Sequence, residues 1–456
     1  MRRVTLFARW LMLALVLALT VARPAAAQSI LRDSESEALF NDLSKPLIQA
    51  AGLDPRAVKV VLVNDPEINA FVATGQTVYI HSGLLTSSNN ANQLQGVIAH
   101  ELGHVAGGHS IRIYQGVKKA TAIQILSLVL GGLAMAAGAG EAAMGAMALG
   151  QQAAQGSFLS FSRTQETSAD LAGASYLAKA GISGRGSIEF FKKLQNQEYR
   201  LALYKTDSYG QTHPLSSERI QTLQNVYSKD PAWARATDPG LEERFQRVRA
   251  KLIGFISEPQ AVLASYPASD QSIPAHYARA YAYHRQAFRD KALAEADSLL
   301  KLRPADPYFL ELKGQVLLES GKPKDALEPL RQSVAAAPDK PMIAAMLGHA
   351  LIATEQRNNY PEAERVLKAA VNRDNDNPFA WYQLGMVYEQ KGDLARAALA
   401  TAERYNLEGN AKLAMVSAET AMRGIPQGTP DYLRAQDIAM VSRAEVDRNK
   451  KGRRDK

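Results

Sequence analysis

The sequence contains no cysteine, although it is 456 residues long. This absence excludes disulfide bridges, zinc sites built on thiolates, a cysteine nucleophile and lipid attachment to an N-terminal cysteine. The chain also has little charge bias once its two ends are set aside. Of the net charge of +8, four arginines lie in residues 1–27 and a further +4 lies in residues 443–456, so the remainder is close to neutral. This distribution does not call for nucleic acid as a partner, and we predict none.

The first 27 residues have the form of an export signal. Arg2 and Arg3 give a positive start, residues 11–21 are an apolar run, and residues 25–27 are a cleavage site of small residues. We therefore predict a signal peptide over residues 1–27 and a mature chain in the bacterial periplasm. An uncleaved membrane anchor is the alternative, which we favour less because the apolar run is short for a membrane span.

Four regions follow the predicted signal peptide. Residues 28–225 mix strand and helix patterns, and the β-branched runs at 58–64 and 76–80 predict two strands there. Residues 226–270 have the pattern of a helical connector, and residues 271–425 repeat. Residues 426–456 end in a basic run, which we predict to be disordered and solvated. The sequence thus predicts an α+β protein that is mostly α, with a mixed domain ahead of a helical repeat domain.

The repeat region has a period of 34 residues. Pairs separated by 34 are Pro304 and Pro338, Pro307 and Pro341, Gly314 and Gly348, Ala292 and Ala326, and Ala363 and Ala397. Gly348 and Gly385 are 37 apart, which fits a three-residue insertion near Asn358. This period, with small residues where two helices cross, resembles tetratricopeptide repeats and predicts an α-solenoid that binds extended peptides or partner proteins. A non-repeating helical bundle is the alternative.

A predicted helix carries a metal-binding pattern in the first domain. The run His100-Glu101-Leu102-Gly103-His104 fits H-E-x-x-H, and residues four apart share one helix face, so both imidazoles can reach one metal ion. Glu101 lies beside them, in a position to take a proton from a water at the metal. We predict that this helix starts near Asn92, is buried along its apolar face, and ends near Gly107-Gly108.

A catalytic zinc site needs a third protein ligand and an open fourth position. The local candidate fails on register, because the position six residues after His104 is Ser110 and His109 falls one residue early. The distant candidate is Glu166, in the run Glu-Thr-Ser-Ala-Asp that ends at Asp170. Asp170 is one helical turn further on and can accept a hydrogen bond from the ring N–H of a ligating histidine. We therefore predict one zinc ion per chain, held by His100, His104 and Glu166.

Hydrolysis of a peptide also needs a donor that stabilises the tetrahedral oxyanion. The segment 212–219 offers two candidates, His213 and Arg219. We predict both as catalytic residues, with Glu101 as the general base.

Three motifs in order resemble the HtpX-type zinc metalloproteases: H-E-L-G-H at 100–104, S-R-x-x-E-x-x-A-D at 162–170 and T-H-P-x-x-x-x-R at 212–219. Residues 69–85 are also similar to that family's edge strand and turn before the active-site helix. The resemblance implies a gluzincin-like fold and a role in quality control of outer-membrane proteins, with the repeats docking substrates or the outer-membrane assembly machinery. It further implies that His213 can occupy the fourth zinc position and hold the enzyme latent. A plain turn histidine before proline is the alternative.

Residues 121–140 carry no charge and are about long enough to span a bilayer. A single span would separate His100 and His104 from Glu166, so we predict instead helices over 121–150 that cover the active site or touch the membrane surface. The leading hypothesis is an exported zinc endopeptidase that cleaves misfolded or misassembled envelope proteins. The alternative is a periplasmic chaperone or assembly scaffold with a dormant protease domain.

Overall fold

The computed structural model describes residues 30–73, 75–136, 140–201, 212–213 and 216–454. The predicted signal peptide at 1–27 therefore lies outside the described residues.

A small mixed sheet opens the described chain. Its strands are β1 (Ile30–Leu31), β2 (Lys59–Val63), β3 (Ala70–Ala73) and β4 (Thr77–His81), in the order β1-β2-β4-β3. β2 and β4 are parallel, whereas β1 and β3 pair antiparallel at the two edges. The strands predicted at 58–64 and 76–80 are confirmed, as is an edge strand within 69–85.

Helices cover this sheet and surround one long central helix. They are α1 (Ser34–Ala50), α2 (Ser82–Ser87), α3 (Ala91–Gly107), α4 (His109–Ala136), α5 (Gly140–Ala180), α6 (Arg185–Leu201) and α7 (Ser217–Tyr227). α3 is the central one: its first fourteen residues are all buried. Val97, Ile98 and Leu102 of this helix join strand residue Ile80 and α6 residue Phe190 in one hydrophobic core.

The start of α3 differs from the sequence prediction. The helix is capped by Asn90, whose side-chain oxygen accepts a hydrogen bond from the backbone N–H of Gln93 at 2.9 Å. Asn92 lies inside the helix and instead bonds the start of α6, donating to the Ser183 carbonyl and accepting from the Gly186 N–H, each at 2.8 Å. The predicted end is confirmed, because Gly108 takes the left-handed conformation (φ +61°) that closes the helix.

α4 and α5 form an antiparallel hairpin, most of which lies in the sequence between the H-E-x-x-H motif at 100–104 and Glu166. The crossing is close at three places, where an added Cβ would overlap a side chain across the pair: Gly116 with Phe161, Gly131 with Met147, and Gly150 with Ser127. Within the described residues we find no helix that combines the length and the apolar character needed to cross a membrane.

The predicted connector has its own helices, α8 (Pro239–Ile256) and α9 (Pro259–Ser265), after a 3₁₀ turn at Pro231–Ala234. Phe245 and Val248 of α8 belong to the core of the first domain, whereas Ala250 packs with Ala278 and Ala282 of the first repeat helix. α8 therefore joins the two domains by packing on both, and the boundary predicted at residue 225 falls ahead of the last helix of the first core.

The repeat region consists of antiparallel helix pairs. The pairs are α10 (Ile273–Arg285) with α11 (Arg289–Leu302), α12 (Pro307–Glu319) with α13 (Pro323–Ala336), α14 (Pro341–Ala353) with α15 (Tyr360–Arg373), and α16 (Pro378–Gln390) with α17 (Leu394–Leu407). The small residues do lie at crossings: a Cβ on Gly314 would meet Leu330, and one on Gly348 would meet Leu367, both at 2.4 Å. The predicted insertion forms a 3₁₀ turn at Arg357–Asn359.

The prediction of a disordered end from residue 426 is wrong. A fifth helix pair, α18 (Ala411–Gly424) and α19 (Pro430–Arg454), closes the solenoid. Ala435, Ile438 and Ala439 of α19 are buried against α17 and α18. The basic residues at 443–456 favoured disorder, but this apolar stripe lies one helical turn before them.

Candidate metal centre

The two histidines of the first motif face each other on α3. His100 and His104 are almost fully buried, and their Nε2 atoms are 3.1 Å apart. This is the one-face arrangement that a spacing of four residues on a helix predicts. Glu101 between them is fully buried.

α5 brings the second motif to the same place through a very close helix crossing. A Cβ on Gly103 would lie 2.5 Å from the carbonyl oxygen of Ala169, and one on Gly173 would lie 2.9 Å from that of Ala99. Only glycine allows the two backbones to approach this closely. The glycine inside the H-E-L-G-H motif therefore determines how near α5 lies to the histidines.

Glu166 on α5 reaches both imidazoles. Its Oε2 is 3.4 Å from Nε2 of His100, and its Oε1 is 3.3 Å from Nε2 of His104. The distant candidate for a third ligand is thus brought to the histidines. His109 is not part of the group of candidate ligands but contacts His104, with the two Nδ1 atoms 2.9 Å apart.

His213 completes a group of four. Candidate ligand atoms of His100, His104, Glu166 and His213 all lie within 4.8 Å of one another. Nδ1 of His213 is 3.2 Å from both Glu166 oxygens and 3.3 Å from Nε2 of His100. Its Nε2 is 3.2 Å from the Ala70 carbonyl oxygen, which can only accept, so Nε2 donates. In the neutral ring, Nδ1 therefore carries the lone pair, and this lone pair points at the other three candidate ligands.

No sequence pattern indicates the contacts that hold His213. The acceptor is the backbone carbonyl of Ala70, at the start of edge strand β3, and a backbone carbonyl carries no residue signature. The preceding Thr212 hydroxyl lies 3.2 Å from Oδ1 of Asn69. The 212–213 segment is therefore fastened to the edge of the sheet.

Asp170 and Arg219 lie behind the group. Nδ1 of His100 donates to Oδ1 of Asp170 at 2.9 Å. Arg219 donates to Asp170 from Nε at 2.7 Å and from Nη2 at 2.9 Å, and Nη2 is also 3.1 Å from Glu166 Oε2. We predicted Arg219 as an oxyanion donor, but its Nε and Nη2 bond the carboxylates that orient the histidines. These contacts are those of a positioning residue, and the role of Arg219 as an oxyanion donor stays a prediction.

The electrostatics of the group favour a positive charge at its centre. Burial opposes the ionised form of Glu166, yet hydrogen bonds from His100, His104 and His213 outweigh burial and hold its pKa far below the usual range. Burial likewise opposes the charged form of His100, but the carboxylates of Asp170 and Glu166 overcome this and raise its pKa to about 10. A metal ion supplies that positive charge while leaving the imidazoles neutral.

Two further observations fit a metal ion. His100 donates from Nδ1 to the Asp170 carboxylate, so Nε2 of its neutral ring carries a lone pair. That lone pair faces Nε2 of His104, and a cation between the two rings would be bound by both. Neither carboxylate oxygen of Glu101 accepts a hydrogen bond, although both are buried, and the nearest ionic neighbour is Nε2 of His213, 3.5 Å from Oε1. A buried carboxylate without hydrogen bonds is costly, and such a group is characteristic of a site whose remaining partner is a ligand or a water.

Comparisons with known proteins agree with this geometry. Residues 11–227 match the model of peptidase family M48, and residues 277–341 and 347–410 match tetratricopeptide repeats. The chain carries an M48 peptidase domain. The protein is therefore a metallopeptidase with C-terminal tetratricopeptide repeats, a repeat class that binds other proteins. The predicted resemblance and the predicted fold class are both confirmed.

Relatives extend the match beyond the peptidase domain. The beta-barrel assembly-enhancing protease of Escherichia coli (strain K12) is 24% identical over 399 residues, which cover 86% of this chain and 79% of that protein. From the same strain, the metalloprotease YcaL is 33% identical over 175 residues (38% of this chain, 62% of YcaL). The metalloprotease LoiP is 31% identical over 179 residues (39% of this chain, 64% of LoiP). Only the first of these three alignments spans most of both chains.

Proposed function

We propose that this M48 peptidase is an exported zinc endopeptidase that cleaves misfolded or misassembled outer-membrane proteins. The observation that carries the proposal is the group formed by His100, His104 and Glu166 beside the buried Glu101, whose carboxylate accepts no hydrogen bond. Two imidazoles and one carboxylate are a recurring ligand set of catalytic zinc. A bound zinc ion would polarise the peptide carbonyl and lower the pKa of a water to about 7.

Four other residues of the site would have separate roles in the reaction. Glu101 accepts a proton from the attacking water and returns it to the amine of the leaving peptide. Asp170 holds His100 in the tautomer that exposes the Nε2 lone pair, and Arg219 holds Asp170 and Glu166 in place. His213 remains the candidate for a donor to the oxyanion once its segment moves.

A substrate strand would pair with β3, the edge strand of the sheet next to the metal centre. In this conformation the carbonyl of Ala70 on that strand accepts a hydrogen bond from His213. The same ring directs Nδ1 into the ligand group. We therefore propose that His213 is the fourth ligand of a resting, latent enzyme, and that cleavage requires the 212–213 segment to leave.

The envelope location and the substrate class are carried over from relatives. The relative that aligns over most of both chains is named for enhancing β-barrel assembly, and the leader predicted at 1–27 would deliver this chain to the periplasm. The repeat domain offers a docking surface for substrates or for the assembly machinery. A chaperone or scaffold with a dormant peptidase is the second candidate; the intact Glu101 argues against it, since a scaffold has no use for the base.

We also propose that the α4–α5 hairpin rests on a membrane surface. Large apolar residues of α4 are exposed on the faces that α5 leaves open; they are Ile125, Leu126, Leu128, Val129, Leu130 and Leu133. An exposed apolar surface of this width needs an apolar environment. Lys118 and Lys119 stand at the base of the apolar stretch, where they would meet anionic head groups. The exposure of the apolar end favours this interpretation over a lid on the active site.

The experiment that tests the main proposal is cleavage of an unfolded protein by the wild type and by Glu101→Gln, with zinc measured on both. Equal zinc with cleavage by the wild type alone supports a zinc peptidase. Bound zinc without base-dependent cleavage of any unfolded protein supports the scaffold.

A further inference from the structure

A second group of potential metal ligands lies outside the peptidase centre. It consists of Asp65 and Glu67, in the loop between β2 and β3, and His81, the last residue of β4. Each offers one ligand atom, and the three atoms lie within 4.8 Å of one another. None of these residues belongs to the three motifs of the peptidase.

His81 is the observation that distinguishes this group from an ordinary acidic loop. Its side chain is 2% exposed, and neither ring nitrogen has a hydrogen-bond partner. The nearest ionic neighbour of Nδ1 is Oδ1 of Asp65 at 3.5 Å, too far for a good hydrogen bond. A buried imidazole with two unsatisfied nitrogens costs free energy unless a ligand completes it.

The loop that carries Asp65 and Glu67 is held in place beside His81 by hydrogen bonds. Asp65 Oδ1 accepts a hydrogen bond from the Glu67 N–H at 2.9 Å, which closes a tight turn. The Asp65 carbonyl accepts from the Ser82 hydroxyl at 2.7 Å and from the Gly83 N–H at 2.9 Å. A Cβ on Gly83 would lie 2.1 Å from the Pro66 carbonyl oxygen, so the loop rests directly on the start of α2. This loop is built to a fixed shape.

We propose that Asp65, Glu67 and His81 bind a second divalent transition-metal ion, separate from the ion of the peptidase centre. Two carboxylates balance the charge of a divalent cation, and the imidazole favours Zn²⁺ or Co²⁺ over Ca²⁺ and Mg²⁺. Three protein ligands leave room for water at the remaining position, and Glu67, which is exposed, lies on the solvent side. An ion here fastens the 65–67 loop to the end of β4.

The position of this site gives it a structural role. The loop that begins at Asp65 ends at Asn69 and Ala70, the two residues that contact Thr212 and His213. The ion therefore stabilises the segment of the sheet edge on which the 212–213 segment is fastened.

The test is metal stoichiometry on the full-length mature protein. Chelated protein is dialysed against low-micromolar Zn²⁺ and its bound zinc is counted by elemental analysis. We expect two zinc ions in the wild type, one in Asp65→Asn/Glu67→Gln, and one in His100→Gln/His104→Gln, which damages only the peptidase centre. Asp54→Asn, an exposed carboxylate that contacts only Arg56, is the matched control and keeps two.

A second measurement guards against variants that fold poorly. Glu67→Gln alone changes an exposed side chain, and we expect it to weaken binding of the second ion at least tenfold in a Co²⁺ titration of the His100→Gln/His104→Gln background. One zinc ion in the wild type, or two in the Asp65→Asn/Glu67→Gln protein, would overturn the second site. Loss of cleavage with both ions still bound would instead count against the proposed peptidase mechanism, so the two failures are distinguishable.

Discussion

Asp170 accepts a hydrogen bond from Nδ1 of His100 at 2.9 Å, and the guanidinium of Arg219 donates two hydrogen bonds to the same carboxylate. The three side chains come from α3, α5 and α7, so the packing of three helices determines how one imidazole is aimed. Burial would raise the pKa of the Asp170 carboxyl, but hydrogen bonds from His100 and Arg219 hold it below the usual range. The carboxylate is therefore ionised and able to orient His100 over the whole working range of pH.

Substitution Asp170→Asn should weaken metal binding while leaving all proposed ligands in place. Partners of this kind typically contribute about 10–100-fold in metal affinity. We expect a loss of that size in a chelator-competition titration. The control is Asp437→Asn, an exposed carboxylate on α19 with no side-chain contact. Unchanged affinity in Asp170→Asn would mean that His100 is oriented by the helix alone.

Substitution His213→Ala should raise the rate of cleavage of unfolded casein several-fold. The change removes both the Nδ1 atom that faces the ligand group and the bond that fastens the segment to Ala70. Thr212→Ala removes the hydroxyl contact with Asn69 but keeps the His213 ring, and it should give a smaller increase. The comparison separates ligation from anchoring. If His213→Ala neither raises nor lowers cleavage, the latent-ligand proposal fails.

The junction between the domains should weaken as pH rises. Glu311 of α12 is buried with its Oε2 unpartnered; burial raises its pKa to about 8, with Asp33 and Glu35 adding to the rise and Lys251 opposing it. Because this value lies above the ordinary 4.5, the contribution to stability is complete below about pH 4.5 and is lost as pH rises through about 8.

The free energy of unfolding of the wild type should therefore carry a downward component of up to about 1.4 kcal/mol per pH unit across that window. Glu311→Gln should lack this component, and the exposed Glu328→Gln of α13 should retain it. Denaturant unfolding at several pH values checks the difference. Parallel pH profiles for the wild type and Glu311→Gln would show that Glu311 is not buried as an acid.

The apolar hairpin predicts binding to lipid. We expect the wild type to sediment with vesicles of phosphatidylethanolamine and phosphatidylglycerol, and Leu126→Gln/Leu130→Gln to bind several-fold less. Leu413→Gln, an exposed leucine in α18, is the control. Wild-type protein that stays in the supernatant as a monomer would refute the membrane contact, and a concentration-dependent dimer would assign the hairpin surface to a second copy.

Sequence spacing was enough to predict the elements that carry the centre. His100 and His104 follow from helical periodicity, Glu166 from elimination of Ser110 on register, and the repeats from a constant period. The Asn90 cap was missed because Asn90 and Asn92 have the same chemistry, and only tertiary contacts with Ser183 and Gly186 decide between them.

The remaining differences arise from contacts that are distant in sequence. Arg219 could be predicted to reach the site, but whether its guanidinium faces the substrate or Asp170 depends on how α7 packs against α5. The burial of α19 depends on a partner helix, and the charges at 443–456 suggested the opposite. The isolated position of His81 leaves no periodic signal, because its neighbours Asp65 and Glu67 come from another loop.

The central claim is that Glu101 acts as the base of a metal-dependent peptidase. Because we propose that His213 keeps the resting enzyme latent, this claim is best tested in a protein that lacks His213. We would measure cleavage of unfolded casein by His213→Ala and by His213→Ala/Glu101→Gln, with bound metal counted on both proteins. The account predicts equal metal content and a loss of at least about 100-fold in cleavage for the double variant, which is the lower end of the range for a positioned base. Equal cleavage by the two proteins at equal metal content would contradict it.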